Sequence, residues 1–395
     1  MPDSQTVSGS RAGLPGNPTG VRHQEDFLMT SESLTVPVKD LLPIVTLTAG
    51  FTAKRDLVPA LRYVYFEGGT LRAFSGEAGS VWRSPWTTPT PFAVPGEMLA
   101  KIVQSLADQG VEEISLTRRE QSLGVRAGAF KGQLPLLDET DRSAFVLRDP
   151  PDRATCTEVT PEFWAAFDQA TISVGQDETK SMLRGVYWSA SGNFVTTDGA
   201  RITVVYPPAD ARVVPPDKKP LLVPDHLLAR LGTRRSEVSG LALDGGSLWC
   251  LLDSGAVWGS LLEAEFPAAR PVAIVKQARN GRKAGGTTVS VPSGPMLDLV
   301  LDRLLLFAEP PTCRIDGKVT ADTLVLSVGG TTAQETLPAV VKGPEGGFAI
   351  NGKFLKEAMG RVSSAFSTSL DNPMVPLYFL SESRQVEHVI LRLID

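Results

Sequence analysis

The chain has 395 residues, of which 42% are hydrophobic and 21% are charged, and its formal net charge is −5. This composition predicts a globular protein long enough for two or three domains, and the acidic balance excludes a basic protein that coats nucleic acid with its whole surface. No run of about 18 apolar residues is present and the N-terminal stretch lacks the apolar core of a signal peptide, so we expect a cytoplasmic protein that does not enter a membrane.

Residues 1–30 carry Gly, Pro, Ser and charged residues without an apolar period, and we expect this tail to be disordered. Beyond the tail, the chain repeats one pattern, in which an apolar strand end runs into a helix with apolar residues at helical spacing. The pattern begins at six positions: VPVKDLLPIV at Val36, VPGEMLAKIV at Val94, VTPEFWAAFD at Val159, VPDHLLARL at Val223, VPSGPMLDLVLD at Val291 and INGKFLKEAM at Ile350. Successive starts lie 58 to 68 residues apart, so the chain is modular, with units larger than solenoid repeats of about 20 to 50 residues.

The segments after these helices alternate apolar and polar residues around turns with Gly, Asn or Asp, and they predict antiparallel hairpins and meanders. Pairing the six units gives an α+β protein of three similar domains, 31–150, 151–278 and 279–395, each a duplicated unit of one helix and an antiparallel sheet. The boundaries fall in LRDPPDRAT (147–155) and in the Gly- and Arg-rich KQARNGRKAGG (276–286). Because such domains expose sheet edges at their ends, we expect them to assemble into a closed ring.

The three cysteines, Cys156, Cys250 and Cys313, are far apart and show neither CxxC nor HxxxH spacing. This pattern argues against a disulfide framework and against a zinc site, and it favours buried thiols.

The sequence also argues against an enzyme. The only histidines are His23, His226 and His388, and none accompanies a nucleophile elbow. Asp198 in the T-D-G segment is better read as a turn residue than as part of an acid/base pair, and no phosphate-binding loop of the GxxxxGK[ST] type is present. We therefore expect no catalytic residues, no metal and no cofactor.

Several segments resemble the bacterial DNA polymerase III beta subunit, the family of sliding clamps that act as processivity factors in DNA replication. QDETKSMLRGVYW followed by TTDGARITVV is similar to the family's second-domain signature, in which a QD…LNG strand precedes an ATDGHRLA turn. LLEAEFPAARPV is similar to the GRFPDYRRV element, and FAINGKFLKEAM is similar to the F-N-x-x-Y-L-x-D-x-L helix. The resemblance spans residues 33–395 and is strongest in the second domain and weakest in the first.

The resemblance implies a head-to-tail homodimer ring whose helices face a central hole threaded by duplex DNA. The implied partners are duplex DNA bound without sequence preference, a DNA polymerase and other clamp-binding proteins with short linear motifs, and a separate ATP-dependent clamp loader. Two departures suggest a divergent member, such as a phage-encoded or second-copy clamp with its own peptide preference. Ala200 stands where the family commonly has His, and the chain ends in VILRLID rather than M-P-M-R-L.

The resemblance further implies a peptide-binding pocket made by residues from distant parts of the chain. A strand, a turn, a domain linker, a helix and the chain end would supply an apolar cleft, and Arg201, Asn351 and Arg392 would supply its polar rim. The candidate pocket residues are Leu183, Thr197, Gly199, Arg201, Ile202, Pro267, Val272, Asn351, Phe354, Val389, Leu391, Arg392 and Leu393. From the residues alone, the apolar ones are more typical of ordinary core positions, since most such residues are buried for packing alone.

Basic residues on or near the six helices are the candidates for facing DNA. They are Lys54, Arg55, Lys101, Lys180, Arg230, Arg234, Arg235, Lys353 and Lys356, with Lys39 and Arg361 on the same helices. Each one alone is more typical of a solvated surface charge. A ring that holds DNA by topology, however, needs only weak phosphate attraction, because tight contacts would impede sliding.

The family pattern places the dimer interface between the outer edges of the first and third domains, which here points to Phe130, Leu305 and Leu306. The two leucines are also consistent with intradomain core. A second hypothesis remains open for the whole chain: a clamp-fold interaction protein that binds or sequesters clamp partners without encircling DNA. A weak ring interface or an acidic inner surface would favour that alternative.

Overall fold

The computed structural model of the protein describes residues 33–54, 58–143, 147–283, 286–292 and 295–394. The tail expected to be disordered, residues 1–30, and the candidate DNA-facing residue Arg55 lie outside these ranges. Among the described helices, none is both long enough and apolar enough to cross a membrane.

The first part of the chain contains two of the expected strand-to-helix units. A short strand enters the first helix and a long hairpin follows; the end of that hairpin enters the second helix, which precedes a three-stranded meander. The elements are β1 (Ser33–Pro37), α1 (Val38–Ala49), β2 (Tyr63–Phe74), β3 (Ala78–Pro95), α2 (Gly96–Asp108), β4 (Glu113–Arg118), β5 (Ser122–Ala127), β6 (Phe130–Pro135) and α3 (Glu139–Ser143).

The middle part repeats the same two units and ends in a helix that connects it to the third part. Its elements are β7 (Thr157–Glu158), α4 (Pro161–Ala170), β8 (Gly185–Trp188), β9 (Phe194–Thr197), β10 (Arg201–Val205), β11 (Leu221–Pro224), α5 (Asp225–Leu231), β12 (Gly240–Asp244), β13 (Ser247–Leu252), β14 (Gly255–Ser260) and the connecting helix α6 (Ala269–Lys283).

The last part contains the fifth and sixth units. Its elements are β15 (Thr287–Ser290), α7 (Pro295–Leu305), β16 (Arg314–Val319), β17 (Thr323–Ser327), β18 (Gln334–Pro338), β19 (Val340–Lys342), β20 (Gly346–Asn351), α8 (Gly352–Arg361), β21 (Ala365–Thr368), β22 (Leu377–Leu380) and β23 (Val386–Ile390).

All six expected strand-to-helix units are present, and local chemistry supports several of the helices. In α2, Leu99, Val103 and Leu106 recur at helical spacing and are buried. At the start of α4, the hydroxyl of Thr160 accepts a hydrogen bond from the amide of Phe163, which satisfies one of the free amides of the first turn. At the start of α8, the side chain of Asn351 accepts from the amides of Lys353 and Phe354 in the same way.

The two units of each pair exchange their first strands. The entry strand of one unit pairs with the first meander strand of its sister, as in β1 with β4, β7 with β12, and β15 with β21. The reverse exchange joins β11 to β8, β20 to β16, and the end of β3 to β2. This reciprocal exchange explains why neither unit of a pair is a complete domain by itself.

Two of the four sheets run across the borders between the three parts of the chain. One has the order β2-β3-β14-β13-β12-β7 and joins the first part to the middle part, and the other has the order β11-β8-β9-β10-β23-β22-β21-β15-β19 and joins the middle part to the last. The remaining sheets, β1-β4-β5-β6 and β18-β17-β16-β20, lie at the two ends of the chain.

The segment KQARNGRKAGG, expected from its composition to be a linker, lies largely within α6. The boundary placed at residue 278 therefore falls inside a helix. The helix forms because Val275 and Ala278 are buried on one of its faces against the nine-stranded sheet. Burial of this face outweighs the low helix preference of the Gly- and Asn-containing end.

The connecting helix covers the opposite face of that sheet from α4 and α8. Side chains alternate along β10, so that Ile202 and Val204 join the cluster that contains Val275 of α6, while Val205 joins the cluster that contains the α4 aromatics. Along β23, Val389 likewise joins the α6 cluster, whereas Ile390 joins the cluster that contains α8 residues. The repeat helices and the connecting helix are thus on opposite sides of the sheet.

Candidate functional site

The apolar candidates for the pocket meet where β10 and β23 join the middle and last parts of the chain. Ile202 and Val389 are direct partners across this strand pair, and both are buried. Leu183, at the end of a 3-10 turn (Ser181–Leu183), and Val272 on α6 pack against the same hydrophobic cluster. Residues separated by as many as 206 positions in the chain, Leu183 and Val389 among them, thus contribute to one apolar cluster.

The turn between β9 and β10 is held by its own side chains. The hydroxyl of Thr197 donates to the carbonyl of Arg201 and accepts from the amide of Gly199. Asp198 accepts from the amides of Ala200 and Arg201, as expected of an Asp in a tight turn. Gly199 has φ +97°, a backbone conformation that glycine adopts without steric cost. The turn is therefore a rigid base for the Arg201 side chain.

Arg201 joins the two sides of the site. Its Nε donates to Asp198 Oδ2 at 2.8 Å and its Nη1 bonds the carboxylate of Glu357 on α8. Its guanidinium carbon lies 4.3 Å from the centroid of the Phe354 ring, also on α8. The stacked cation and its two carboxylates fix the face of Phe354 beside the strand junction.

The end of the chain closes the site on another side. The amide of Leu391 donates to the carbonyl of Ala200 at 2.9 Å, and the amide of Leu393 donates to the carbonyl of Ala349 at 2.9 Å. Between them, the guanidinium of Arg392 donates to the carbonyls of Ser369, Asn372 and Gly347. The departure from the family ending therefore leaves a terminal segment that is anchored at several points.

The three groups expected to form the polar rim are already engaged within the chain. Arg201 bonds two carboxylates, the Asn351 side chain caps α8, and Arg392 bonds three carbonyls. With its polar groups committed in this way, the rest of the site consists mainly of apolar side chains.

Three candidates lie less centrally than the sequence suggested. Pro267 is exposed at the entrance to α6, where its carbonyl accepts from the amide of Arg270. Leu391 is 37% exposed. Phe354 packs against the core of the last part of the chain rather than against the cluster of Ile202, and it reaches the site through its contact with Arg201.

Sequence reasoning missed Phe266 and Tyr378, which are both buried in the same cluster as Ile202. The ring of Phe266 stacks on that of Tyr187 with centroids 5.0 Å apart. Phe266 stands in the FPAARPV segment that carried the resemblance, so that motif already held the signal. Tyr378 offered no such signal, because only the sheet order brings β22 beside this cluster.

A network of buried polar groups lies along the same strand junction. His388 is fully buried, and its Nδ1 is 2.8 Å from the hydroxyl of Thr203, which in turn lies 2.7 Å from that of Ser173. Burial, reinforced by the positive charges of Arg201 and Arg361, lowers the pKa of His388 to about 3. The imidazole is therefore neutral at physiological pH, and the junction is held by hydrogen bonds there rather than by a charged histidine.

Most of the candidate DNA-facing cations form ion pairs with acids on the same surface. Among the described residues, the pairs are Lys101 with Glu97, Lys180 with Asp177, Arg234 with Glu237, Arg235 with Asp168, and Lys356 with Asp302. Arg230 donates to the hydroxyl of Ser75 and lies over the ring of Phe51. Lys54 and Lys353 are exposed and form no ion pair with any described residue.

The exposed surface of the six repeat helices carries charges of both signs. The charged residues exposed on these helices, within the described ranges, are Lys39, Asp40, Glu97, Lys101, Asp108, Glu162, Asp298, Asp302, Arg303, Lys353 and Arg361. A surface of this kind attracts phosphates weakly and through a few individual cations, since most of the positive charge is locally compensated.

The candidate interface residues divide into exposed and packed ones. Phe130, the first residue of β6, is 37% exposed, and its ring folds over Gly132. Leu306 lies just beyond α7 and is 84% exposed, and the neighbouring Phe307 is 56% exposed. Leu305 packs partly against the core of the last part of the chain. Leu306 is therefore a surface residue, whereas Leu305 belongs at least partly to the intradomain core.

Potential metal-ligating side chains do not cluster in the described part of the chain. No group of three or more His, Cys, Asp or Glu side chains there is placed to hold a metal ion. Cys250 and Cys313 are buried free thiols, as expected, while Cys156 is only partly buried.

No family model and no curated protein matches this chain. Solved structures do: the sliding clamp (DNA polymerase III subunit beta) from Bartonella birtlesii bound to griselimycin has a TM-score of 0.77 at 18% identity, over 92% of this chain and 100% of that chain. The DNA polymerase III beta subunit from Thermotoga maritima has a TM-score of 0.75 at 17% identity, over 92% and 99%. The sliding clamp from Caulobacter crescentus has a TM-score of 0.74 at 18% identity, over 92% and 100%. The chain thus has the fold of the bacterial sliding clamps, which confirms the fold expected from the resemblance.

Proposed function

We propose that this chain, which has the sliding-clamp fold, is a DNA sliding clamp. Two copies would form a head-to-tail ring around duplex DNA, and each copy would tether a DNA polymerase and other DNA enzymes through the apolar site at the β10–β23 junction. The observation that carries the proposal is a regular pattern of strand pairing. Two junctions within the chain follow this pattern, and a third pairing that the pattern predicts is not formed among the described residues of one copy.

The rule concerns the last strand of each unit. The last strand of the earlier unit in the first part, β3, pairs with the last strand of the later unit in the middle part, β14. The last strand of the earlier unit in the middle part, β10, pairs in the same way with β23 of the last part. Both pairs are antiparallel, and the start of the earlier-unit strand faces the end of the later-unit strand, as in Arg201 opposite Ile390.

Two last strands have no such partner within the described residues: β18 of the last part and β6 of the first part, each at the edge of a four-stranded sheet. The rule predicts that these two strands pair with each other. Within one chain they lie at opposite ends, so a second copy must supply the partner. Pairing β18 of each copy with β6 of the other would satisfy the rule at every junction and would leave a closed ring with no exposed edge of this kind.

The apolar site supports the tethering part of the proposal. Leu183, Ile202, Val272 and Val389 belong to one apolar cluster, in which Leu183 and Val272 are the partly buried members. Arg201 holds the ring of Phe354 beside it. A short peptide with an aliphatic and an aromatic anchor could bury both side chains there. The anchored chain end would provide a preformed wall, which reduces the cost of ordering on binding.

The second candidate function is a clamp-fold protein that binds or sequesters clamp partners without encircling DNA. The mixed charge of the repeat helices favours it, because a surface whose described, exposed charges are six acids and five bases offers DNA little net attraction. A ring that retains DNA by topology does not require strong attraction, however. The two candidates therefore differ in ring closure rather than in the pocket.

One experiment separates them: the mass of the protein in solution, combined with its retention on DNA circles. The clamp should have a mass of twice 42.3 kDa. Once loaded, it should stay on a closed circle and be released when the circle is cut. Dissociation from intact circles as fast as from cut ones would contradict the clamp and leave the partner-binding alternative.

A further inference from the structure

The connecting helix α6 belongs to a stretch without acidic residues in a chain that is acidic overall. No Asp or Glu stands between Glu265 and Asp298. The stretch nevertheless carries five cations, all of them on α6: Arg270, Lys276, Arg279, Arg282 and Lys283. The candidate DNA-facing helices differ, because their cations are interspersed with acids.

Three of these cations occupy positions on α6 that are in line with Val272 of the apolar site. Val272, Lys276, Arg279 and Lys283 follow one another at spacings of four, three and four residues, which places them in one stripe on a helix. Val272 packs against the site's apolar cluster. Arg279 is already bound to Glu387, whereas Lys276 is exposed and forms no ion pair with a described residue. The stripe thus begins at the apolar site and includes at least one cation, Lys276, that forms no ion pair with a described residue.

This stripe cannot face DNA inside the proposed ring. The alternation of side chains along β10 and β23 puts α6 on the face of the nine-stranded sheet opposite α4 and α8. If the repeat helices line the hole, α6 lies on the outer surface, where a protein bound at the apolar site would approach. Cations in the last turn of a helix are stabilised by the helix dipole. This effect explains the positions of Arg282 and Lys283 in the sequence, but it does not explain that of Lys276 in the middle of the helix.

We infer that α6 selects partners whose anchoring motif is flanked by acidic residues, with the flank lying along the stripe that begins at Val272. This inference rests on the proposed function, since it presumes that a peptide binds the apolar site. At about 1.5 Å per helical residue and about 3.3 Å per residue of extended peptide, Lys276 lies about two peptide residues and Lys283 about five from Val272. The acidic residues should therefore stand about two to five positions from the anchor.

The inference is tested by selecting random 12-residue peptides displayed on phage against the full-length chain. We expect the selected peptides to share an apolar and aromatic anchor pair with Asp or Glu on one side of it. A selected peptide, and a copy with its acids changed to Asn or Gln, would then be compared by fluorescence polarisation. Lys276→Gln combined with Lys283→Gln should weaken the acidic peptide about 2- to 30-fold, and this loss should shrink at high salt.

The matched control is Arg270→Gln with Arg282→Gln, which removes the same charge from the same helix off the stripe and should weaken binding less. Equal weakening by the two double variants, or equal binding of acidic and neutralised peptides, would overturn the inference while leaving the pocket in place. If the stripe variant instead lost affinity for a duplex DNA probe and kept its affinity for the peptide, α6 would be a DNA contact and the inference would be wrong. Peptides whose binding is unaffected by Phe354→Ala would overturn the pocket proposal and this inference with it.

Discussion

The guanidinium of Arg201 stacks 4.3 Å from the ring centroid of Phe354, so a residue on β10 and a residue on α8 form one contact across the junction between two parts of the chain. The same guanidinium bonds Asp198 in its own turn and Glu357 on the helix of Phe354. The aromatic face at the apolar site is consequently placed by electrostatics as well as by packing. This arrangement gives Phe354 a role that can be separated from folding.

Replacing Phe354 by Ala should weaken the binding of a polymerase-derived peptide about 5- to 150-fold, the affinity equivalent of about 1 to 3 kcal/mol for an anchoring aromatic. The fold should survive, because Arg201 keeps both carboxylate partners. Calorimetric titration of the peptide, with the solution mass as a check on the dimer, measures both effects. Val340→Ala, which trims an exposed apolar residue of the same part of the chain, is the control and should change neither. Undiminished affinity in a folded Phe354→Ala variant would contradict the pocket.

Replacing Arg392 by Ala should release the end of the chain from the site. The variant loses the bonds to the carbonyls of Ser369, Asn372 and Gly347, and we expect the amides of Leu391 and Leu393 to exchange with solvent on the order of 10-fold faster. Peptide affinity should fall as the wall loses its order. Hydrogen exchange read by mass spectrometry measures the effect, and Arg384→Ala, in an exposed turn, is the control. Unchanged exchange at both amides would show that the backbone bonds alone hold the segment.

The sequence predicted the six strand-to-helix units because each depends on local signals, such as helical spacing and capping side chains. It also predicted that Ile202, Val272 and Val389 would meet, although only through the resemblance. It did not predict α6 as a helix, because its stability comes from burying Val275 and Ala278 against strands far away in the chain. Hydrophobic burial of that kind leaves little trace in local composition.

The ion pairs on the surface show the same limit of prediction from local sequence. The pairing of Lys101 with Glu97 was visible in the sequence as an i, i+4 pair, and that of Arg234 with Glu237 as an i, i+3 pair. The pairing of Lys356 with Asp302 was not visible, because two separate helices must pack before the side chains meet. Long-range pairs of this type decide which of the described cations stay without an ion pair.

If two copies pair as proposed, replacing Leu306 by Asp should give folded monomers, because the side chain is 84% exposed and follows α7, which packs against the edge strand β18. Leu305→Asp should instead lower the unfolding temperature, since Leu305 packs against the core. Light scattering and thermal unfolding distinguish the two outcomes. Leu299→Asp, a charge placed on an exposed leucine of the same helix, serves as the control and should remain dimeric. A Leu306→Asp variant that stays dimeric would move the interface elsewhere.

Replacing Lys54 and Lys353 by Gln should weaken the binding of duplex DNA, because these two exposed candidates form no ion pair with a described residue. If each contacts one phosphate, the slope of log affinity against log salt should become shallower by about 2. Titration of a labelled duplex at several salt concentrations measures this slope. The matched control is Lys101→Gln with Lys356→Gln, which removes two ion-paired lysines and should change the slope less. Equal changes would mean that pairing does not determine which lysines meet DNA.

Acid should destabilise the protein through His388, which is fully buried, neutral and bonded to Thr203. In the unfolded chain its pKa returns to about 6.5, whereas in the folded chain burial lowers the pKa to about 3. Between these values the unfolded chain binds a proton that the native chain excludes. Above about pH 6.5 the imidazole is neutral in both states, so proton binding there does not reduce stability. As the pH drops below about 6.5, the free energy of unfolding falls by at most about 1.4 kcal/mol per pH unit.

His388→Asn should reduce stability at pH 7.5 by disturbing the junction, yet it should flatten the loss of stability between pH 7 and pH 5. Denaturant unfolding at pH 7.5, 6.5 and 5.5 measures both changes. His226→Asn, which removes an imidazole that is only partly buried and lies on α5, should leave the His388 contribution in place. If His388→Asn lost stability with falling pH as steeply as the unaltered chain, other groups would govern the acid response, and the buried imidazole would not be its source.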